Sequence, residues 1–175
     1  MNNGWLKDKS MTLRAPEPED LELMYAMEND TTLWSAGNAT LPYSRYTLRA
    51  YLEQSRQDLI TEHQARFVIE LSDGCCAGMI DLAEYDPINS RAEVCIGLLG
   101  RYRGKGIATH ALQLLCQYAE ERLHLHQLYA YIPEWNKESL RLFEKTGFKN
   151  SAILKDWLKE KNGYCDVILV QKTGK

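Results

Sequence analysis

A glycine-rich basic loop, Gly100-Arg101-Tyr102-Arg103-Gly104-Lys105-Gly106, is the segment of this sequence best suited to binding chemistry. The loop lies between a predicted strand and a predicted helix. Glycines lack side chains, so their backbone N–H groups can approach a ligand closely. The positive end of the following helix would point at the same place, and arginine and lysine add further positive charge. This combination predicts a cradle for phosphate groups.

The loop does not follow the two commonest phosphate-binding patterns. The Walker pattern GxxxxGK[ST] is absent, and the dinucleotide pattern GxGxxG does not fit this spacing. A nucleotide-binding protein that uses a related cradle remains an alternative. A solvated turn of two glycines and three basic residues is the plain structural alternative.

Carboxylates on predicted strands are the candidates for acid–base chemistry. Glu93 lies in the predicted strand Arg91–Leu99, and Asp81 and Glu84 lie in the strand before it. Carboxylates are uncommon on central strands, and there they often have a catalytic role. We therefore expect Glu93 and Asp81 to act in catalysis, with an ion pair to Arg66 or Arg91 as the structural alternative. The four histidines have no nucleophile partner in the sequence and are interpreted as surface or capping residues.

Hydrophobic periodicity predicts one mixed α/β domain with the order β-αα-βββ-α-β-α-ββ over residues 11–175. Residues 1–10 are predicted to be a flexible extension. Three short strands between residues 66 and 99 indicate an antiparallel meander. The unit from Arg91 to Ile132 is strand–helix–strand, which requires a parallel pairing. Asn136 and Gly147 are predicted to bound a helix, and Asn162-Gly163 a closing hairpin.

Composition excludes several classes of protein. The chain has 175 residues, 21 Lys and Arg against 24 Asp and Glu, and a net charge of −3. This balance disfavours a nucleic-acid partner recruited by bulk charge. No apolar run reaches the roughly 20 residues of a membrane helix, and Met1–Ser10 lacks a signal-peptide core. The five cysteines are interpreted as reduced core thiols, which indicates a cytoplasmic protein without a metal site.

Two segments together resemble the GNAT superfamily of N-acetyltransferases. Arg103-x-x-Gly106-x-Ala108 satisfies the acyl-CoA signature (Gln/Arg)-x-x-Gly-x-(Gly/Ala), and an alternative register begins at Arg101. The segment from Asn136 to Phe148 is similar to Asn-x-x-(Ser/Ala)-x-x-(Leu/Ile)-Tyr-x-x-x-Gly-Phe. Both segments occur in the family's order, and the strand order matches over most of the chain. The resemblance implies an acyl-CoA N-acyltransferase fold and acetyl-CoA as the acetyl donor.

The resemblance also implies which residues would hold acetyl-CoA. The pantetheine arm would add to the sheet between two splayed parallel strands, and Asn136 would reach the arm from the other side. Phe143 would face the thioester from the position where relatives often have the tyrosine that protonates the thiolate. Strand residues would pair with the arm and loop amides would hold the pyrophosphate: Ile96, Gly97, Leu98, Arg103, Gly104, Lys105, Gly106, Ile107, Ala108 and Thr109. Glu93 would accept the amine proton through a water molecule.

Within the superfamily, the sequence is most similar to spermidine and diamine N-acetyltransferases, and this similarity includes Gly78-Met-Ile-Asp81 and Arg91-Ala-Glu93. The loop from Trp34 to Tyr46 lacks the carboxylates that polyamine enzymes place there. A primary amine, either a small amine or a polyamine, is the expected acceptor, and attack on the thioester is expected to be direct. A ribosomal-protein type of N-terminal acetyltransferase and a CoA-binding regulatory module without turnover remain alternatives. Assembly into a homo-oligomer stays open.

Overall fold

A computed structural model describes residues 4–34, 41–54 and 58–174. The strands are β1 (Met11–Arg14), β2 (Ala65–Leu71), β3 (Cys76–Asp86), β4 (Arg91–Leu98), β5 (Gln127–Pro133), β6 (Lys149–Glu160) and β7 (Gly163–Thr173). The helices are α1 (Leu21–Glu28), α2 (Thr31–Trp34), α3 (Arg45–Gln54), α4 (Leu59–Glu62), α5 (Ile107–Glu121) and α6 (Lys137–Lys145). The predicted mixed α/β fold is confirmed, with two short helices, α2 and α4, that the sequence did not indicate.

In the described part of the chain, seven strands form one sheet in the order β1-β2-β3-β4-β5-β7-β6. The predicted meander is present, because β2, β3 and β4 pair antiparallel. The predicted parallel pairing joins β4 to β5 across the α5 connection. The hairpin of β6 and β7 then completes the sheet, and β7 rather than β6 contacts β5.

Helices cover both faces of the sheet. The main core lies under α5 and α6, where Leu112, Leu115 and Ile80 are fully buried. A smaller core lies on the opposite face, where Met24 and Met27 of α1 pack with Leu48 and Met79. We call this second face the cleft face. Strand residues alternate between the two faces, so those of β4 with odd numbers lie on the cleft face.

Capping residues set the helix boundaries that the sequence predicted. Ser44 Oγ accepts a hydrogen bond from the Thr47 amide at 3.1 Å at the start of α3. Asn136 Oδ1 accepts from the Ser139 amide at 3.1 Å at the start of α6. Gly147 follows α6 with φ of 94°, a backbone conformation that glycine tolerates best. Most of the loop predicted between Trp34 and Tyr43 lies outside the described residues.

The prediction that all five cysteines are core thiols is wrong. Cys116 and Cys165 are buried, whereas Cys75 and Cys95 are exposed and Cys76 is half-buried. All five are free thiols. The alternation of β4 places Cys95 on the cleft face, where a sequence rich in apolar residues gave no sign of an opening.

Candidate active site

The glycine loop turns directly into the first turn of α5. Gly104 and Gly106 have φ of 72° and 78°, in the left-handed region that favours glycine, and α5 begins at Ile107. In the described part of the chain, the amides of residues 104–109 have no acceptor outside the hydrogen bonds of α5 itself. The Arg103 amide, which the sequence placed in the cradle, instead donates to Gly100 O at 3.2 Å. The loop therefore offers a run of unpaired N–H groups at a helix N-terminus, where anions bind.

The basic side chains of the loop have different surroundings. Arg101 and Lys105 flank the ring of Tyr102, at 5.0 and 5.8 Å from its centroid, and both remain exposed. Arg103 folds back, because its Nε donates to Leu98 O at 3.1 Å and its guanidinium lies 3.7 Å from Asp30. Arg103 thus fixes the loop to the end of β4, and the other two side chains are free to meet phosphates.

A wedge opens between β4 and β5 beside this loop. The two strands pair only at Arg91–Gln127, Ala92–Leu128 and Glu93–Tyr129. Beyond Glu93, the β4 residues that were predicted to contact pantetheine pair with β3 alone: Ile96, Gly97 and Leu98. An edge of backbone N–H and C=O groups is therefore available to an extended ligand.

Gly97 allows β4 to pack closely against α1. The register of β4 against β3 is regular at this point, and a Cβ at Gly97 would lie 2.9 Å from Met27 Cε of α1. A Cβ at Gly78 would lie 2.1 Å from Gly97 O. The two glycines thus allow β3, β4 and α1 to approach closely at the mouth of the wedge.

Glu93 lies at the closed end of the wedge, on the cleft face. Burial raises the pKa of its carboxyl group, and the nearby charge of Glu84 raises it further, against a weak contact with the Cys95 thiol. A raised pKa makes this carboxylate a stronger base than an exposed glutamate. Cys95 is exposed at its surface, but the protein atoms packed around its thiol, together with Glu93 and Asp81, raise the pKa of this group to about 12. Cys95 is therefore a neutral thiol at physiological pH and a poor nucleophile.

Asp81 lies opposite Cys95 in the sheet and is held in an ion pair. The Arg66 guanidinium contacts Asp81 Oδ2 at 2.9 Å and Glu28 Oε1 at 2.7 Å. Burial raises the pKa of Asp81, and Arg66 opposes this rise. The structure brings Asp81 and Glu93 to the same face of the sheet. However, the Asp81 carboxylate is already paired with the Arg66 guanidinium. Its catalytic role stays a prediction, and its ion pair is the observed contact.

Asn136 and Phe143 already have partners within the protein. The side-chain Oδ1 of Asn136 caps α6, as described above, and the residue is half-buried. Phe143 is 2% exposed, and its ring meets the edge of Phe148 with centroids 4.9 Å apart. Contacts of these two residues with acetyl-CoA stay predictions.

An aromatic group that the sequence alone could not place lies beside Glu93. Tyr129 pairs with Glu93 in the sheet, and its ring meets Tyr131 edge-on at 5.7 Å. Tyr131 in turn stacks on Trp157 of β6. The only available signal was the alternation Tyr129-x-Tyr131, which places both rings on one face.

A separate cavity of about 660 Å³ lies between residues 4–8 and α5. There His110 Nε2 contacts Asp8 Oδ2 at 2.5 Å, and Ser10 Oγ lies 3.0 Å from His110 Nδ1. Trp5 Nε1 also donates to Glu121 at 2.9 Å. These contacts attach the N-terminal segment to α5 and give His110 a partner that the sequence did not reveal. The cavity has neither the glycine loop nor the strand wedge, so we do not assign the active site there.

The acetyltransferase (GNAT) domain family model matches residues 10–149. The chain belongs to the GNAT acetyltransferase family. The spermidine N(1)-acetyltransferase of Escherichia coli K12 is 33% identical over 144 residues, which cover 79% of this chain and 73% of that protein. An uncharacterised N-acetyltransferase, p20, of Bacillus licheniformis is 30% identical over 171 residues, 94% of this chain and 93% of its own.

A solved structure gives the same assignment. The spermidine N-acetyltransferase of Vibrio cholerae in complex with CoA and spermine has a TM-score of 0.84 at 26% identity, covering 95% of this chain and 96% of that one. This protein is accordingly an N-acetyltransferase of the GNAT fold, and GNAT acetyltransferases use acetyl-CoA. None of the helices described here is both long and apolar enough to cross a bilayer.

Proposed function

We propose that this GNAT enzyme transfers the acetyl group of acetyl-CoA to a primary amine by direct attack, and that polyamines are among its acceptors. The observation that carries this proposal is the wedge between β4 and β5, which opens between the glycine loop and Glu93. A donor in the wedge and an acceptor on the cleft face would meet beside one carboxylate. The relatives that act on spermidine support a polyamine acceptor for this chain.

The donor would bind through backbone groups. The β4 edge at residues 96–98 would pair with the amides of pantetheine, and the N–H groups of residues 104–109 would bind the pyrophosphate. Arg101 and Lys105 would add charge at the phosphates, because both are exposed beside the loop. Left-handed glycines at 104 and 106 keep this surface free of side chains.

The acceptor would bind on the cleft face as a cation. Glu84 is close enough to Glu93 for its charge to raise the pKa of the Glu93 carboxyl group. An ammonium group relieves this repulsion, which favours an amine at this position. Glu93 then accepts a proton through a water molecule, so the neutral nitrogen attacks the thioester carbon. The thiolate of CoA leaves and takes its proton from water, because position 143 holds phenylalanine and not tyrosine.

Cys95 lies beside Glu93 but does not suit an acetyl-enzyme route. Its pKa of about 12 leaves almost no thiolate at pH 7 to attack the thioester. Direct transfer from CoA to the amine needs no such intermediate. The neutral thiol instead serves as a weak hydrogen-bond donor to Glu93, with Sγ 3.8 Å from Oε1.

The test is mass-spectrometric identification of products from a mixed pool of polyamines, small amines and peptides incubated with acetyl-CoA. We expect acetylated polyamines and amine-dependent release of free thiol. Acetylated peptide N-termini alone would support the N-terminal acetyltransferase alternative. Binding of acetyl-CoA without amine-dependent thiol release would support a regulatory module. A larger increase in melting temperature with ATP than with acetyl-CoA would support a nucleotide-binding protein. Cytoplasmic location stays a prediction.

A further inference from the structure

Three aromatic rings form a continuous group that leads from Glu93 toward the edge of the sheet. Tyr129 is the sheet partner of Glu93, and its ring meets Tyr131 at an interplanar angle of 77°. Tyr131 and Trp157 stack at an angle of 19° with centroids 6.3 Å apart. Tyr131 is nevertheless 39% exposed and Trp157 57% exposed. Both rings therefore offer surface to a ligand on the cleft face, with Tyr131 the nearer of the two to Glu93 along the group.

A β-bulge in β6 brings Trp157 to this position. The pairing of β6 with β7 is interrupted between Leu154 and Leu158, and Asp156 has φ of 49°. Asp166 of β7 holds the bulge, because it accepts from the Asp156 amide at 3.0 Å and from Lys155 Nζ at 2.5 Å. Bulges next to active sites commonly redirect one side chain. Here the redirected side chain is Trp157.

The exposed rings and the Glu93 carboxylate both favour positively charged ligands. Aromatic faces attract cations, and Trp is the strongest of the three ring types. Tyr131 lies two residues beyond Tyr129, so its Cα is roughly 8 Å from that of Glu93, given about 6.6 Å along a strand and 4.8 Å between strands. A short aliphatic chain can span this separation.

We propose that Tyr131 and Trp157 form a second cation subsite of the acceptor site and select acceptors that carry a second positive group. This inference rests on the proposed function and adds the residues that set its specificity. One amino group would react beside Glu93 while the second lies over the exposed ring faces. Asp166 is a positioning residue, because it acts on the ligand only through the bulge that aims Trp157.

The first test compares putrescine with butylamine, which differ in the second amino group. We expect Trp157→Ala to raise the KM for putrescine roughly fivefold to tenfold with little change in kcat, and to leave butylamine almost unaffected. Trp157→Phe should restore most of the preference, and Asp166→Asn should reproduce part of the loss. Trp5→Ala is the matched control, because Trp5 is 43% exposed on the other side of the sheet. Equal losses for both amines in Trp157→Ala would overturn the proposal.

The second test does not depend on turnover. Hexamethonium carries two quaternary ammonium groups and has no N–H to acetylate, so calorimetry measures its binding alone. We expect wild type and Trp5→Ala to bind it, and Trp157→Ala and Tyr131→Ala to bind it at least fivefold more weakly. Absence of binding to wild type, or equal binding to all variants, would overturn the subsite. If no amine is acetylated yet this pattern holds, the proposed function fails and the subsite stands.

A second copy of this chain is the other occupant that exposed rings could have. Sedimentation of wild type and Trp157→Ala distinguishes the two. An unchanged assembly supports a ligand subsite. Loss of an oligomer in Trp157→Ala would show that the rings form a subunit interface and would overturn the proposal.

Discussion

Glu93 of β4 and Tyr129 of β5 form the last paired position before the two parallel strands separate. Burial, together with the nearby Glu93 carboxylate, raises the pKa of Tyr129 to about 12. The point where the sheet opens is thus also the point where the proposed base lies. In the proposed reaction, donor, acceptor and base would meet there.

Glu93→Gln tests the role of this carboxylate as a base. We expect kcat to fall roughly 10²-fold or more at neutral pH, with acetyl-CoA affinity nearly unchanged. The loss should shrink at high pH, where the free amine is abundant. Steady-state kinetics over pH measure both effects, and a variant as active as wild type at pH 7 would leave Glu93 without a catalytic role.

The same substitution should stabilise the fold at neutral pH. The pKa of Glu93 is raised in the folded protein, so the folded state binds its proton more tightly than the unfolded state. Stability therefore falls as pH rises from the ordinary value of 4.5 through the folded pKa. We expect Glu93→Gln to have a higher melting temperature than wild type at pH 7, and an equal one well below pH 4.5. A lower melting temperature at pH 7 would contradict this.

Glu84→Gln tests the charge that acts on Glu93. Removing this neighbour should lower the pKa of Glu93, so the acidic limb of the kcat/KM profile should move to lower pH. Glu53→Gln is a suitable control, because this exposed residue of α3 is not among the groups that shift Glu93. An acidic limb that moves equally in both variants would show a general charge effect.

Gly106→Asp tests the phosphate cradle. The added carboxylate would repel the pyrophosphate and strain a left-handed position, so we expect acetyl-CoA binding to weaken by at least about 3 kcal/mol. Gly74→Asp is the matched control. Gly74 has φ of 82° and open space around it, but lies in the turn between β2 and β3. Calorimetric affinity equal in the two folded variants would remove the loop from the binding site.

Phe143→Tyr tests whether this ring faces the thioester. Phe143 is buried against Phe148, so the new hydroxyl should lack a partner and lower the free energy of unfolding by about 1–3 kcal/mol, without a gain in kcat. Phe148→Tyr, at an equally buried ring, is the comparison for urea denaturation. If Phe143→Tyr alone keeps its stability and raises kcat, the ring faces the site and a general acid has been restored.

Features encoded in short segments could be predicted from the sequence. The glycine loop, the caps at Ser44 and Asn136 and the meander each depend on residues that are neighbours in the chain. The width of the wedge could not be predicted, because it depends on where pairing between β4 and β5 stops. Cys95 was misplaced for the same reason, since an apolar strand looks alike whether its second face is covered or open.

Contacts between distant segments were also beyond the sequence. Arg66 contacts Glu28, which is 38 residues away in the sequence, and the same guanidinium forms the ion pair with Asp81. This ion pair competes with any catalytic role of the Asp81 carboxylate. Trp157 reaches Tyr131 only because a bulge changes the direction of β6. No local periodicity reports the position of a bulge that a carboxylate on another strand holds in place.

The bulge in β6 is also expected to affect the tendency of the protein to aggregate. β6 is an edge strand of the described sheet and is largely exposed, with Ile153 at 57% and Trp157 at 57%. A long regular edge of this kind can recruit strands from other molecules into an aggregate. The irregular backbone at Asp156 and the charges of Lys155 and Lys159 interrupt that edge. A regularised β6 would therefore be expected to lower the solubility of the enzyme during expression and refolding, even where its folded stability increased.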